Sequence, residues 1–452
     1  MPGKMILTNS DHFQFRDNIF PSLPMPTCAR LHTSDAFISN FYGFGVAITP
    51  SSCHELSLME KDERKKLLEH MYSKEGLGLS VGRICIGSCD YSPEIYSYDD
   101  VAFDTELTHF SIARDENYII PMLKEILEIN PELYLSASPW SPPYWMKTGS
   151  SVGGGYMREK YLECYGDYII KFIQAYASHG IRVRALTAQN EPNTQKENNA
   201  PTCIWHPETE AKFLAILHRK LKENNLNVNL WLYDHNFDDT NRVLWSLENC
   251  EGLKENCDGV AFHYYCGSIE QTIALKKKYP ALELHFTEGG PRLSQNYEFD
   301  YCKWALMIIK AIKVGYQSFT GWNLILNEFG GPNVGPHIGV CGGLVTLDSR
   351  TKELGYSGQY KVFSHIVPYI SPASKLYYIF SDETFNHWIA KYPERNEKIE
   401  GVLVDNSDGK KIAFLLNQND HGVQAQIEID GTLWYVELEA NSIATLEIDA
   451  SL

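Results

Sequence analysis

The sequence predicts an α/β fold, a (β/α)8 TIM barrel with a smaller antiparallel β-sandwich domain. Three observations lead there. Between residues 38 and 371 eight short apolar runs alternate with longer amphipathic segments. Those runs are apolar almost throughout rather than strictly alternating, as in a parallel sheet buried on both faces. From about residue 372 the pattern changes to short alternating runs separated by turn residues, which marks antiparallel strands.

In chain order the strand-like runs are 41–46 (FYGFGV), 79–87 (LSVGRICIG), 133–140 (LYLSASPW) and 183–190 (VRALTAQN). Then come 229–235 (NLWLYDH), 259–265 (GVAFHYY), 282–288 (LELHFTE) and 318–326 (SFTGWNLIL). Helical periodicity fills the gaps. Leu56, Met59, Leu67, Leu68 and Met71 line one face of a segment that is otherwise charged. Residues 115–129, 161–180 and 207–225 read the same way, with Gly180 as a C-cap and Pro207 just inside a helix start. A doubly wound open sheet would need a glycine-rich phosphate turn between strand and helix, and SVGGGY and GVCGGL are not so placed. QYKVFSHIVPYI closes the barrel series. The turns NSDG, NDHG and DG then separate the later strands. The expected division is an N-terminal segment 1–37, a barrel 38–371 and a sandwich 372–452. The last is short of strands, and residues 1–37 are available to complete it.

Bulk properties narrow the function. A chain of 452 residues with 44% apolar and 21% charged residues is an ordinary globular composition, too long for one core. The net charge of −17 argues against nucleic acid or an anionic membrane surface as partner. Apolar runs never approach the length of a transmembrane helix. The N-terminus has no signal-peptide pattern, so a cytoplasmic location is expected. Eleven cysteines without CxxC pairing, Cys85, Cys266 and Cys341 among them in apolar runs, are expected to be free buried thiols. No His/Asp/Glu cluster has metal-ligand spacing, so neither a metal nor an organic cofactor is expected.

Glu191 and Glu288 carry the chemistry. Each ends a strand-like run and is followed at once by Pro or Gly, where a strand stops and a loop begins. On a barrel, the C-terminal ends of strands form the active-site face. Two carboxylates meeting there suit glycoside hydrolysis, one protonating the leaving oxygen and the other attacking the anomeric carbon or activating water. Asn190, just before Glu191, is a neutral donor suited to a sugar 2-OH.

Longer motifs then carry a resemblance. FYGFG near residue 43, VGRICIGSCDYS at 81–92, SASPWSPPYWMKT at 136–148, TAQNEPN at 187–193, FHYY at 262–265, FTEGG at 286–290 and GWNLILNEFGGPN at 321–333 resemble glycoside hydrolase family 30, most closely its glucosylceramidase branch. The resemblance implies a retaining mechanism, with Glu191 as acid/base and Glu288 as nucleophile. It also implies a carbohydrate substrate, a terminal β-glucoside, held by Arg83, Asp90, Trp140, Asn190, His263, Tyr265, Trp322 and Asn333. Each has an alternative reading. Arg83 ends a buried strand and is equally placed for a structural ion pair. Asp90 could cap a turn after Cys89, Trp140 could be core, and His263 could be a satisfied barrel histidine. Tyr265 is a candidate donor to Glu288. Tyr233, Asp234 and His235 read only as possible rim. Gln189, Gly289–Gly290 and the loop 194–206 depart from the branch and leave the leaving group open. β-Xylosidase and endo-β-1,6-glucanase are alternative activities, and a catalytically inactive sugar-binding barrel is the alternative of another class.

Overall fold

The computed structural model describes residues 3–9, 13–25, 28–149, 151–194, 200–335, 339–381 and 398–449. They fall into two compact units. One is formed by Met1–Gly43, Glu298–Gln317 and Ser357–Leu452, the other by Phe44–Tyr297 and Ser318–Tyr356.

The second unit is a closed parallel barrel. Its strands are β1 (Gly43–Ala47), β2 (Val81–Ile86), β3 (Tyr134–Pro139), β4 (Val183–Thr187), β5 (Asn229–Asn236), β6 (Gly259–His263), β7 (Glu283–Glu288) and β8 (Ser318–Gly321). Each apolar run of the sequence supplies one, and the order closes from β8 back to β1. Register sets which side chains share a level: Arg83 of β2 lies between Ala47 of β1 and Ser136 of β3. Two irregularities fall at the C-terminal end of the barrel, in β5 between Tyr233 and His235 and in β7 between Phe286 and Glu288.

Helices cover the barrel as the periodicity requires, with one correction. The amphipathic segment around residues 55–73 is two helices, Pro50–Ser57 and Lys61–Tyr72. Leu56, Leu67, Leu68 and Met71 are buried, but Leu58 is 61% exposed at the break. The first helix is started by Thr49, whose side chain accepts from the Ser52 amide, with Pro50 in its first turn. Leu162–Ser178 and Pro207–Glu223 follow their expected bounds, and Gly180 takes the left-handed φ of +82° expected of a C-cap glycine.

The other unit is a nine-stranded sheet in which residues 3–8, 13–19 and 29–38 join six strands from 375–449. Its eight neighbouring strand pairs are all antiparallel except Ala29–Ile38 beside Val423–Ile429. The two ends of the strand order meet, Pro21 bridging to Trp434 and the Ser22 amide donating to the Leu433 carbonyl at 2.7 Å. The sandwich is therefore one sheet bent round a single core, including Leu7, Leu31, Ile379, Leu415, Ile427 and Leu446. Asp430 and Gly431 both have positive φ, the geometry a two-residue hairpin turn demands. Helices Tyr301–Val314 and Gly358–Ile366 cluster with this sheet, so the compact units cut the chain differently from the boundaries at 37/38 and 371/372. The reason is burial: both helices put their apolar faces against sheet strands of the same unit.

Among the described residues no helix is long and apolar enough to cross a membrane. Cys266 departs from the expected buried thiol and is exposed, because β6 stops at His263 and the chain turns outward; all eleven cysteines are free.

Candidate active site

Glu191 and Glu288 come together at the C-terminal end of the barrel. One carboxylate oxygen of each and a ring nitrogen of His263 all lie within 4.8 Å of one another. Both glutamates are buried, and both line a pocket of about 230 Å³ with Asp90, His235, Tyr265 and Trp322.

The Glu191 turn is tied on both sides. The Asn190 amide donates to the Pro139 carbonyl of β3 at 2.8 Å, and the Glu191 amide to the Asp234 carbonyl of β5 at 3.0 Å. Glu191 itself has φ of +50°, a left-handed conformation that these two bonds maintain. Gln189, one of the departures noted in sequence, is fully buried below it. Its amide nitrogen donates to the Trp140 carbonyl at 2.6 Å, and its oxygen accepts from the Trp205 indole at 3.2 Å. It is a strut under the turn.

Arg83 reaches up from β2 with 1% exposure and bridges three partners. Its guanidinium donates to Glu288 at 2.7 Å, to the Asn190 side-chain oxygen at 2.6 Å and to Asp234 at 2.9 Å. It also lies 4.7 Å from the Trp140 ring centroid. The ion-pair reading of Arg83 is the one the structure builds, and through it Asn190 is oriented. Burial opposes its charge, and Asp234 and Glu288 outweigh that and hold it firmly protonated.

Asp234, expected only as possible rim, lies at the centre of the network. It has no exposed surface, and it accepts from Arg83, from Ser138 at 2.7 Å, Thr187 at 2.8 Å and Thr287 at 2.7 Å, and pairs with His263 Nε2 at 3.1 Å. Burial works against the carboxylate, but Arg83, His263 and Thr287 hold its pKa far below the ordinary range. His263 touches this anion through Nε2 and has Nδ1 at 3.3 Å from Glu191. Burial disfavours its charge, yet Glu288, Asp234 and Glu191 together push its pKa up to about 9. Glu288 is raised above the usual carboxylate value, first by burial and further by Glu191 and Asp90, against the pull of His263 and Arg83.

The remaining expected residues divide. Asp90 lines the pocket, and the turn cap after Cys89 comes instead from Ser92, which accepts the Cys89 amide at 2.9 Å. Trp322 lines it too, its amide held by the Gly289 carbonyl at 2.9 Å. Trp140 is corrected: it is 1% exposed and stacked on Trp322 at 5.5 Å, so it supports Trp322 and Arg83 and is not an open platform. Tyr265 lines the pocket but its hydroxyl bonds no described residue, so the expected donation to Glu288 is not formed. Asn333 is not among the pocket-lining residues. Its oxygen accepts the Gly335 amide at 2.6 Å, in a loop docked by Val334 onto the Asp90 carbonyl at 2.8 Å. His235, expected only as possible rim, lines the pocket with Nε2 at 3.6 Å from Glu191 and 3.1 Å from the Thr194 hydroxyl. The strand-end position of YDHN was the only sequence signal for Asp234 and His235.

The loop after Glu191 is described at Thr194 and from residue 200; 195–199 lie outside the described residues. Its return is pinned by buried Lys147, which donates to Ser141 at 2.7 Å and to the Thr202 carbonyl at 2.6 Å. Gly289 is a close approach: a Cβ there would meet the Phe286 ring at 2.7 Å and Tyr264 at 3.0 Å.

Comparison with known proteins bears on the family and the fold. Residues 41–338 match the profile of the glycosyl hydrolase family 30 TIM-barrel domain. A Caenorhabditis elegans protein described as putative glucosylceramidase 3 is 34% identical over 317 residues, 65% of this chain and 60% of that protein. A Neurospora crassa endo-1,6-beta-D-glucanase is 24% identical over 90% of this chain and 85% of its own length. Among solved structures, the endo-beta1,6-glucanase BT3312 superposes with a TM-score of 0.85 at 25% identity, covering 99% of each chain.

Proposed function

The chain belongs to glycosyl hydrolase family 30, and from that premise we propose that it is a retaining β-glycosidase acting on terminal β-glucosides, with Glu191 as acid/base and Glu288 as nucleophile. The observation that carries the proposal is the approach of the two buried carboxylates, with oxygens within 4.8 Å. Retaining enzymes hold their carboxyl groups about 5–5.5 Å apart, while inverting ones leave roughly 6.5–9.5 Å for a water.

Each residue then has a task. Glu288, held at 2.7 Å by Arg83, attacks the anomeric carbon while Glu191 protonates the departing oxygen. Forming the glycosyl ester removes the Glu288 charge. That lowers the proton affinity of Glu191, which now serves as base toward the incoming water. Asn190, fixed by Arg83, is placed for the sugar 2-OH, where a hydrogen bond strengthens as positive charge develops on the ring. Asp90 supplies carboxylate oxygens for sugar hydroxyls, and Trp322 and Tyr265 supply ring surface. A pocket near 230 Å³ is small beside the roughly 300–1,000 Å³ of drug-sized sites, which supports a single terminal sugar.

Hydrolysis of p-nitrophenyl β-glucoside, followed by NMR of the first-formed anomer, tests the reading; β-glucose first is the expected result. Glu288→Gln should lose ~10³-fold or more in kcat. Glu191→Gln should hurt a poor leaving group far more than 2,4-dinitrophenolate, which needs no proton. Sugar binding without turnover of any β-glycoside would instead favour an inactive binding barrel. Endo-β-1,6-glucanase is the second reading, favoured by the Neurospora and BT3312 similarities. Release of gentio-oligosaccharides from a β-1,6-glucan, faster than glucose from aryl glucoside, would select it.

A further inference from the structure

Asp234 does more than fill the barrel. The chain around it is distorted on purpose of contact: Tyr233 and Asp234 have φ of +81° and +61°, and the β5 register with β6 slips between Tyr233 and His235. This conformation, uncommon for residues other than glycine, lets one residue work in two directions. Its side chain points to the barrel axis, where Arg83, Ser138, Thr187, Thr287 and His263 converge on it. Its carbonyl points to the turn after β4, where it accepts the amide of Glu191 at 3.0 Å.

We infer that Asp234 is a positioning residue of the reaction, a buried anion that fixes the supports of both catalytic carboxylates at once. The inference rests on the glycosidase reading above. Arg83 is the cation on Glu288, and Asp234 holds its other nitrogen at 2.9 Å. His263 turns Nδ1 to Glu191 at 3.3 Å, while its Nε2 is held by Asp234 at 3.1 Å with Glu288 at 3.8 Å from the same nitrogen. The charged groups facing Asp234 are thus Arg83 from β2 and His263 from β6, with Glu191 from β4 and Glu288 from β7 one contact beyond. When Glu191 carries its proton, two anions, Asp234 and Glu288, balance two cations, Arg83 and His263. Asp234 therefore shares with Glu288 the task of keeping His263 cationic beside the pair, and is the partner that holds the ring by a direct contact at 3.1 Å.

The test is Asp234→Asn, read by kcat, KM and the pH profile of kcat/KM on an aryl β-glycoside that the wild type turns over. Removing this anion makes every neighbouring proton easier to lose. Both limbs of the profile should move to lower pH by about one unit. kcat should fall ~10²-fold with KM changed less than ~3-fold, since the reacting groups are displaced and the sugar contacts are not. A paired Thr187→Val, Thr287→Val variant removes neutral donors to the same carboxylate and should lower the melting temperature without moving either limb. An Asp234→Asn profile that superposes on wild type after scaling would overturn the inference, whereas a wild type inert toward all β-glycosides overturns the activity instead. Should Asp234→Asn not fold, ¹⁵N-histidine NMR of the wild type decides. A His263 ring protonated at both nitrogens near pH 7.5 is expected, and a neutral ring there would overturn the role.

Discussion

Arg83 shows how much chemistry one buried side chain organises. A point charge could pair with Glu288 or with Asp234, but only a planar fork reaches both and Asn190 while resting on Trp140. Arg83→Lys is therefore not conservative here. It should leave one buried carboxylate without its cation, costing on the order of 3 kcal/mol in urea unfolding. It should also release Asn190 and cut kcat by ~10²-fold. A lysine variant with wild-type stability and rate would show that the fork is dispensable. The sequence placed Arg83 in a buried strand but left open whether it met sugar or carboxylate. That choice depends on Asp234, 151 positions away, which folding alone brings to it.

At the scale of elements, the candidate site is a set of strand ends held in unusual backbone conformations. Glu191, Tyr233, Asp234 and Asn323 all have positive φ. Each lies in the first turn after a barrel strand or at its last bulge, where loop chemistry replaces sheet chemistry. The β7 end has no such twist and instead needs Gly289 for space, with the Phe286 ring 2.7 Å from where a Cβ would stand. Gly289→Ala should cost about 1–3 kcal/mol by overpacking and lower kcat, because any relief moves the backbone next to Glu288. Thermal unfolding and initial rates on one preparation check both. These ends also explain what was legible in the sequence. Apolar runs announce eight strands and their last residues, so Glu191 and Glu288 stood out as strand-end carboxylates. Asp234 has the same strand-end signature and points by sequence only to the rim, because a bulge that turns it inward has no mark in LYDHN. Trp140 failed for a related reason: Pro139 and the following SPP fix the ring, but only the barrel wall decides that it stacks under Trp322. The break at Leu58 was hidden by a helical pattern that runs across it in phase.

Across the whole molecule, two buried histidines set opposite limits on stability. His263 in the barrel is held cationic, with a pKa of about 9 against 6.5 when unfolded. Its contribution is complete below pH 6.5 and is lost as pH rises toward 9, on the order of 3 kcal/mol at about 1.4 kcal/mol per unit. His365 in the sheet unit is the reverse. It is buried between the Thr8 hydroxyl at 2.8 Å and the Thr445 hydroxyl at 3.0 Å, and burial lowers its pKa to about 3. Thr445 spends its own proton on the His365 carbonyl at 2.7 Å, so Nδ1 donates to Thr445 and Nε2 accepts from Thr8. A second ring proton would destroy that acceptor. Its contribution is therefore present above pH 6.5 and lost below it, about 2 kcal/mol by pH 5. His285, lowered chiefly by burial, adds to the acid side with the same sign. His365→Gln keeps an acceptor and a donor but cannot titrate. Taken as the difference from wild type, so that unrelated groups cancel, its unfolding free energy should converge on or exceed that of wild type as pH falls from 6.5 to 5. His263→Gln should do the same on the alkaline side between pH 6.5 and 9. Parallel curves for variant and wild type across either window would show that the histidine in question does not titrate as its burial requires. The two windows leave neutral pH as the region in which both units keep their buried histidines in the protonation state the fold was built around.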